Sequence, residues 1–254
     1  MSIPSRTILL SPGRTGSVSI AKILDHCSPS SDVVVLHEHP LARCLIPLSH
    51  LQPAVAANMA GRLAFPQRGN QCIRVDPLLS YCGVRELASR ADLVVFVSRS
   101  PVAWVESMAR KIRFQKLFPL IRSLPILRPP APSDLLGCLK ANLPAEHPYL
   151  LGLLAAYVGL HRKVNALPEH ILQSSVRLHF EQLYGNPGSP AMRAEWQSLF
   201  AALGWTQVTD QQLFPLLHSR HNSAPVRLSG AIRDPQQVSI IVQGLIQSQS
   251  CQFD

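Results

Sequence analysis

The chain has 254 residues, 46% hydrophobic and 15% charged, a composition that describes a packed globular protein and argues against a disordered one. Its formal net charge of +9 points to an anionic partner: nucleic acid, an anionic membrane surface or a polyanionic small ligand. There is no run of five Lys or Arg residues and no nucleic-acid-binding signature, so a polyanionic ligand accounts for the charge at least as well.

Tyr149 to Leu160 is the longest apolar stretch, and it falls short of the roughly 20 residues that a membrane span requires. Ile8-Leu9-Leu10 is likewise too short for a signal-peptide core. The expectation is a cytoplasmic protein without a membrane span, organised as a single domain over residues 1–254. Cysteines stand at 27, 44, 72, 82, 138 and 251 without a C-x-x-C pair or zinc-ligand spacing. They read as reduced, mostly buried thiols, and no metal site is expected.

In chain order, Thr7–Leu10 reads as a short buried strand. Ser11-Pro-Gly-Arg-Thr-Gly-Ser17 is a turn-rich loop, and Ile20, Ile23 and Leu24 have helical spacing after it. Val33–Leu36 is a second buried strand, closed by His37-Glu38-His39-Pro40. Residues 42–61 are expected to be helical in part, Cys72–Val75 to be a strand and Val84–Arg90 a helix. Leu93–Val97 carries the strongest strand signal, apolar throughout and β-branched. Ser98-Arg99-Ser100-Pro101 follows it, and Pro101 opens a helix that runs to about Lys116.

Residues 118–148 are proline-rich and read as an irregular loop or lid. Tyr149–Ala166 reads as a helix, Val176–Phe180 as a strand and Ala191–Leu203 as a helix closed by Gly204. The tail is expected to be helical from Val238.

Strands alternating with helices predict a three-layer α/β/α domain with a mainly parallel sheet. Ligands of such sheets bind beyond the carboxyl ends of the strands. Three unusual loops fall there, at 11–17, 37–40 and 98–101.

In the first loop, Gly13 and Gly16 let the backbone turn tightly and approach an anion, and the next helix adds its positive N-terminal end. Arg14 adds a planar fork suited to phosphate or sulfate oxygens, and Thr15, Ser17 and Ser19 add hydroxyls. A Walker A loop needs a lysine directly after its last glycine; Ser17 stands there, which disfavours an ordinary ATPase or GTPase. In the second loop Arg99 stands at the sheet's carboxyl edge, and Ser107 follows on the helix.

Taken together, the two loops resemble the cofactor-binding signature of the PAPS-dependent sulfotransferase superfamily. That family binds the 5′-phosphosulfate with a loop of the type Pro-Arg/Lys-Ser/Thr-Gly-Thr/Ser. The matching stretch here is Gly13-Arg14-Thr15-Gly16-Ser17, with Gly13 in place of the usual proline and Val18 in place of a common hydroxyl residue. The family's second element, Arg-x-Pro with a later serine, binds the 3′-phosphate and resembles Arg99-Ser100-Pro101 with Ser107. Leu178-His-Phe-Glu-Gln-Leu183, Asn186-Pro187 and Leu203-Gly204 resemble a late, mainly architectural run.

The resemblance implies sulfuryl transfer from 3′-phosphoadenosine 5′-phosphosulfate (PAPS, product PAP) to a hydroxyl or amine of a small-molecule, lipid or carbohydrate acceptor. It implies no metal and no nucleic acid. The donor site would comprise Gly13, Arg14, Thr15, Gly16, Ser17, Val18, Arg99 and Ser107, with Arg14 also stabilising the leaving group. Glu38 is the first candidate for the general base and His37 the second. In an extended strand end, Glu38 points away from both histidines. Arg220, His221, Asn222 and Arg227 are candidates to close over the 3′-phosphate, and Trp104 reads as a core residue or an adenine-stacking one. The alternatives are another P-loop transferase such as a small-molecule kinase, a non-catalytic module binding polyanions or nucleic acid, and a sulfotransferase-like scaffold without activity.

Overall fold

The computed structural model describes residues 3–13, 15–65, 71–113, 129–186, 188–218 and 232–248. Arg14, residues 118–128, Pro187, Arg220, His221, Asn222, Arg227 and Cys251 therefore lie outside the described residues.

The molecule is a three-layer α/β/α structure around a five-stranded, all-parallel sheet. The strands are β1 (Arg6–Leu10), β2 (Val33–His37), β3 (Gln71–Val75), β4 (Leu93–Ser98) and β5 (Val176–His179), in the order β2-β3-β1-β4-β5. This order is neither the 3-2-1-4-5-6 of a dinucleotide-binding sheet nor the 2-1-3-4-5 of a flavodoxin-like one. β1 is central, with Leu9 opposite Val75 on one side and Val95 on the other.

Alternation along the strands builds two cores. Ile8, Leu10, Val94 and Phe96 face one layer, and Leu9, Ile73, Val75, Val95, Val97 and Leu178 face the other. The second layer holds α1 (Ser17–His26), α11 (Pro190–Ala202) and α12 (Asp210–His218). Against the first pack α2 (Ala42–Leu51), α3 (Pro53–Ala64), α4 (Pro77–Cys82), α5 (Val84–Ala88), α6 (Pro101–Arg113), α7 (Ser133–Asn142), α8 (Pro148–Asn165) and α13 (Pro235–Gln247). Two short helices, α9 (Glu169–Ser174) and α10 (Phe180–Leu183), flank β5.

The connection from β1 leaves over one face of the sheet and those from β3 and β4 leave over the other, so the chain parts at the carboxyl ends of these neighbours.

One expectation is corrected. The prolines at 129–132 and 144–148 bound a helix rather than an irregular loop: α7 buries Leu135, Cys138 and Leu139, and His147 caps α8 by accepting from the Tyr149 N–H at 3.1 Å. Proline is tolerated at helix starts, where its missing N–H has no partner to lose.

Candidate functional site

All three loops marked in the sequence stand at the carboxyl edge of the sheet, after β1, β2 and β4. In the first, Gly13 and Gly16 both take left-handed backbone angles, with φ of 77° and 72°. A Cβ on Gly16 would lie 2.7 Å from the Tyr184 ring, so both conformation and space demand glycine there.

The loop's carbonyls are drawn toward the core. The indole N–H of fully buried Trp104 donates to the Pro12 and Gly13 oxygens at 3.0 and 2.9 Å, and the Tyr81 hydroxyl donates to the Pro12 oxygen at 2.8 Å. The Ser11 N–H donates to Ser80 Oγ at 3.2 Å. Carbonyl oxygens committed to the core cannot crowd an incoming anion. By contrast, no side chain caps the first turn of α1, and the Thr15 hydroxyl is fully buried without a hydrogen-bond partner. A buried, unsatisfied hydroxyl costs about 1–3 kcal/mol, a cost that a bound oxyanion would remove.

The second loop is fixed from β5. Arg99 lies over the Phe180 ring, 4.3 Å from its centroid, and its Nε is 3.9 Å from Glu181 Oε1. The Ser100 N–H donates to the same oxygen at 3.0 Å, and the Tyr157 hydroxyl donates to the Arg99 carbonyl. Ser107 is buried on α6. Tyr184, one turn beyond Phe180, donates from its hydroxyl to the Gly16 carbonyl at 3.3 Å and also hydrogen-bonds Ser19; burial pushes its pKa upward, with Ser19 opposing. Phe180, Glu181 and Tyr184 thus brace both loops at once.

The β2 loop meets the first loop directly. His37 Nε2 is 3.2 Å from Ser17 Oγ and 4.0 Å from Glu38 Oε1. The expectation that Glu38 points away from the histidines is corrected: its φ is +41°, the only positive value among described non-glycine residues, so the strand geometry ends before it. The Arg43 guanidinium reaches the other Glu38 oxygen at 4.0 Å. His39 is structural, its Nδ1 accepting from the Leu41 N–H at 3.1 Å.

Sequence reasoning missed Asp76. It is fully buried, accepts from the N–H groups of Leu78 and Leu79 at 3.1 Å each, and takes the His39 N–H at 2.6 Å. It therefore caps α4 and ties the β2 loop to the end of β3. Burial raises its pKa, while these N–H donors and the Arg74 charge oppose the rise. The pair Asp76-Pro77 directly after a strand is a helix-start signature and was available as a signal. Trp104 does not offer its face to a ligand; buried against Tyr157, it acts through its N–H.

Among the described residues, no cluster of His, Cys, Asp or Glu could hold a metal ion. Their cysteines are free, and all but Cys44 are buried. No described helix is long and apolar enough to cross a membrane. Comparison with known proteins gave no match to any family model, curated protein or solved structure.

Ser17 and Val18 sit in the first turn of α1, directly after buried Thr15 and left-handed Gly16, with His37 hydrogen-bonded to Ser17. Arg99 and Ser107 occupy the neighbouring loop and helix. The gap between them is bridged structurally by α10 and α6.

Proposed function

We propose that this chain is a PAPS-dependent sulfotransferase that moves a sulfuryl group to an acceptor hydroxyl or amine. The observation that carries this reading is the common bracing of the Gly13–Ser17 and Arg99 loops by Phe180, Glu181 and Tyr184. It suits a ligand with two anionic groups at a set separation, as in an adenosine bearing 5′- and 3′-phosphates. The orphaned Thr15 hydroxyl fits an oxyanion seated against the backbone.

PAPS would supply an activated sulfuryl group joined to a phosphate that leaves as PAP. In this reading Thr15, Ser17 and the amides opening α1 hold the 5′-phosphosulfate, and Arg14 neutralises charge growing on the leaving oxygen. Arg99 and Ser107 hold the 3′-phosphate. Glu38 takes the acceptor's proton as its oxygen or nitrogen bonds to sulfur, and His37 orients Ser17 and Glu38. Positioning and charge stabilisation supply most of the rate, as in phosphoryl transfer.

Calorimetric titration with PAP, adenosine 5′-phosphate and magnesium ATP tests the donor site. Preference for PAP supports the reading; preference for ATP moves a kinase to the front, and no nucleotide binding overturns both. Glu38→Gln should leave PAP affinity unchanged and slow transfer by roughly 10²- to 10⁴-fold.

A further inference from the structure

We propose that the outer face of the α2–α3 hairpin docks on an anionic lipid bilayer. Six large apolar residues are conspicuously exposed among the described residues, and four of them, Leu41, Leu51, Val55 and Met59, fall in this hairpin at 50%, 70%, 45% and 39% exposure. Scattered surface apolar residues are ordinary, but a concentration on one supersecondary unit marks an interaction surface. The same two helices bury Ala42, Leu45, Ile46, Ala56 and Ala60 on their inner faces, so the outer residues are surplus to the core.

Charge selects the occupant. No aspartate or glutamate occurs between Glu38 and Asp76, while Arg43 and Arg62 flank the apolar residues and are exposed. Asp76 is fully buried, and Glu38 already faces Arg43. A second copy meeting this face symmetrically would offer Arg62 no acidic residue on either helix to pair with. A nucleic acid would find no basic track and no exposed Phe, Tyr or Trp ring for its bases on these helices. Leucine, valine and methionine rimmed by arginine, with no acidic residue in either helix, is a composition suited to a bilayer interface with anionic headgroups. The net charge of +9 acts in the same direction over longer range.

The surface reaches the candidate site, since half-exposed Leu41 directly follows the His37–Pro40 loop. Where the sulfotransferase reading holds, the acceptor is then a hydroxyl or amine carried by a lipid. That last step rests on that reading; the docking itself does not.

Flotation of the full chain with vesicles tests the docking, using phosphatidylcholine alone and phosphatidylcholine mixed with phosphatidylglycerol. The chain should float with the mixed vesicles only, and added salt should weaken binding. L51Q/V55Q/M59Q should lower the bound fraction by about tenfold or more, and R62A by a smaller factor. I240Q, which removes an exposed apolar residue on α13, should leave it unchanged. Should the triple variant fail to fold, L51Q alone keeps the test, because Leu51 is the most exposed of the set. No flotation with the mixed vesicles, equal loss in I240Q, or a triple variant that floats as the parent does would each overturn the proposal. So would a dimer that the triple variant converts to a monomer without vesicle binding. PAP titration reads the other claim: lost PAP binding with intact flotation removes the sulfotransferase and leaves the docking.

Discussion

The two sides of the sheet's carboxyl edge are built on different principles. Around β1 and β4, the loop backbone is held from both layers: Trp104, Tyr81 and Ser80 hold the first loop from one, and Tyr184 holds it from the other. Around β2, the hairpin α2–α3 keeps a packed inner face and an open apolar outer one. A polyanion of fixed shape rewards a rigid cradle, because binding energy is not spent on ordering it. A surface that meets a fluid partner needs no such bracing. Rigidity therefore concentrates where the proposed donor sits and lapses where the proposed bilayer and acceptor would be.

Substitutions should read out that difference. Gly16→Ala combines a left-handed backbone angle with a contact against Tyr184, and should cost about 2–4 kcal/mol in denaturant unfolding. It should also abolish detectable PAP binding.

Acid should loosen the same side. His161 lies buried between Phe96 and Tyr157, the residue that holds the Arg99 carbonyl. Burial, and secondarily the Arg177 charge, push its pKa down from 6.5 to about 3. Below pH 6.5 the unfolded chain binds a proton that the folded chain refuses, so stability falls as pH falls. The group contributes a slope of about 1.4 kcal/mol per pH unit across that window. His161→Phe should flatten the slope by this amount in unfolding measured over the same pH series.

The smallest effect belongs to the open side. Leu51→Gln should change stability by no more than about 0.5 kcal/mol and leave PAP affinity untouched.

Much of this architecture was legible in the sequence. The β-branched runs at Val33 and Leu93 and the turn-rich loops after β1 and β4 carry their own signals, because parallel strands buried on both faces must be apolar throughout. α7 escaped because its flanking prolines read as loop residues, although they start helices here. In the candidate site, Thr15, Gly16, Ser17, His37 and Arg99 could be named from local motifs. Asp76, Tyr81, Trp104, Tyr157 and Tyr184 act on backbone atoms far away in sequence, as Tyr184 does on Gly16, and no local pattern encodes such a partner. The reversed direction of Glu38 had the same cause: its positive φ follows from the junction of β2 with the end of β3, where its N–H donates to the Val75 carbonyl.

The central claim is that two braced loops divide two anionic groups between them. Titrating the parent and Arg99→Ala with PAP and with adenosine 5′-phosphate, which lacks the 3′-phosphate, tests it most directly. The account predicts that the parent prefers PAP, and that Arg99→Ala weakens PAP by roughly 10²-fold while leaving adenosine 5′-phosphate nearly unchanged. Equal losses for both nucleotides, or no loss for either, would contradict it.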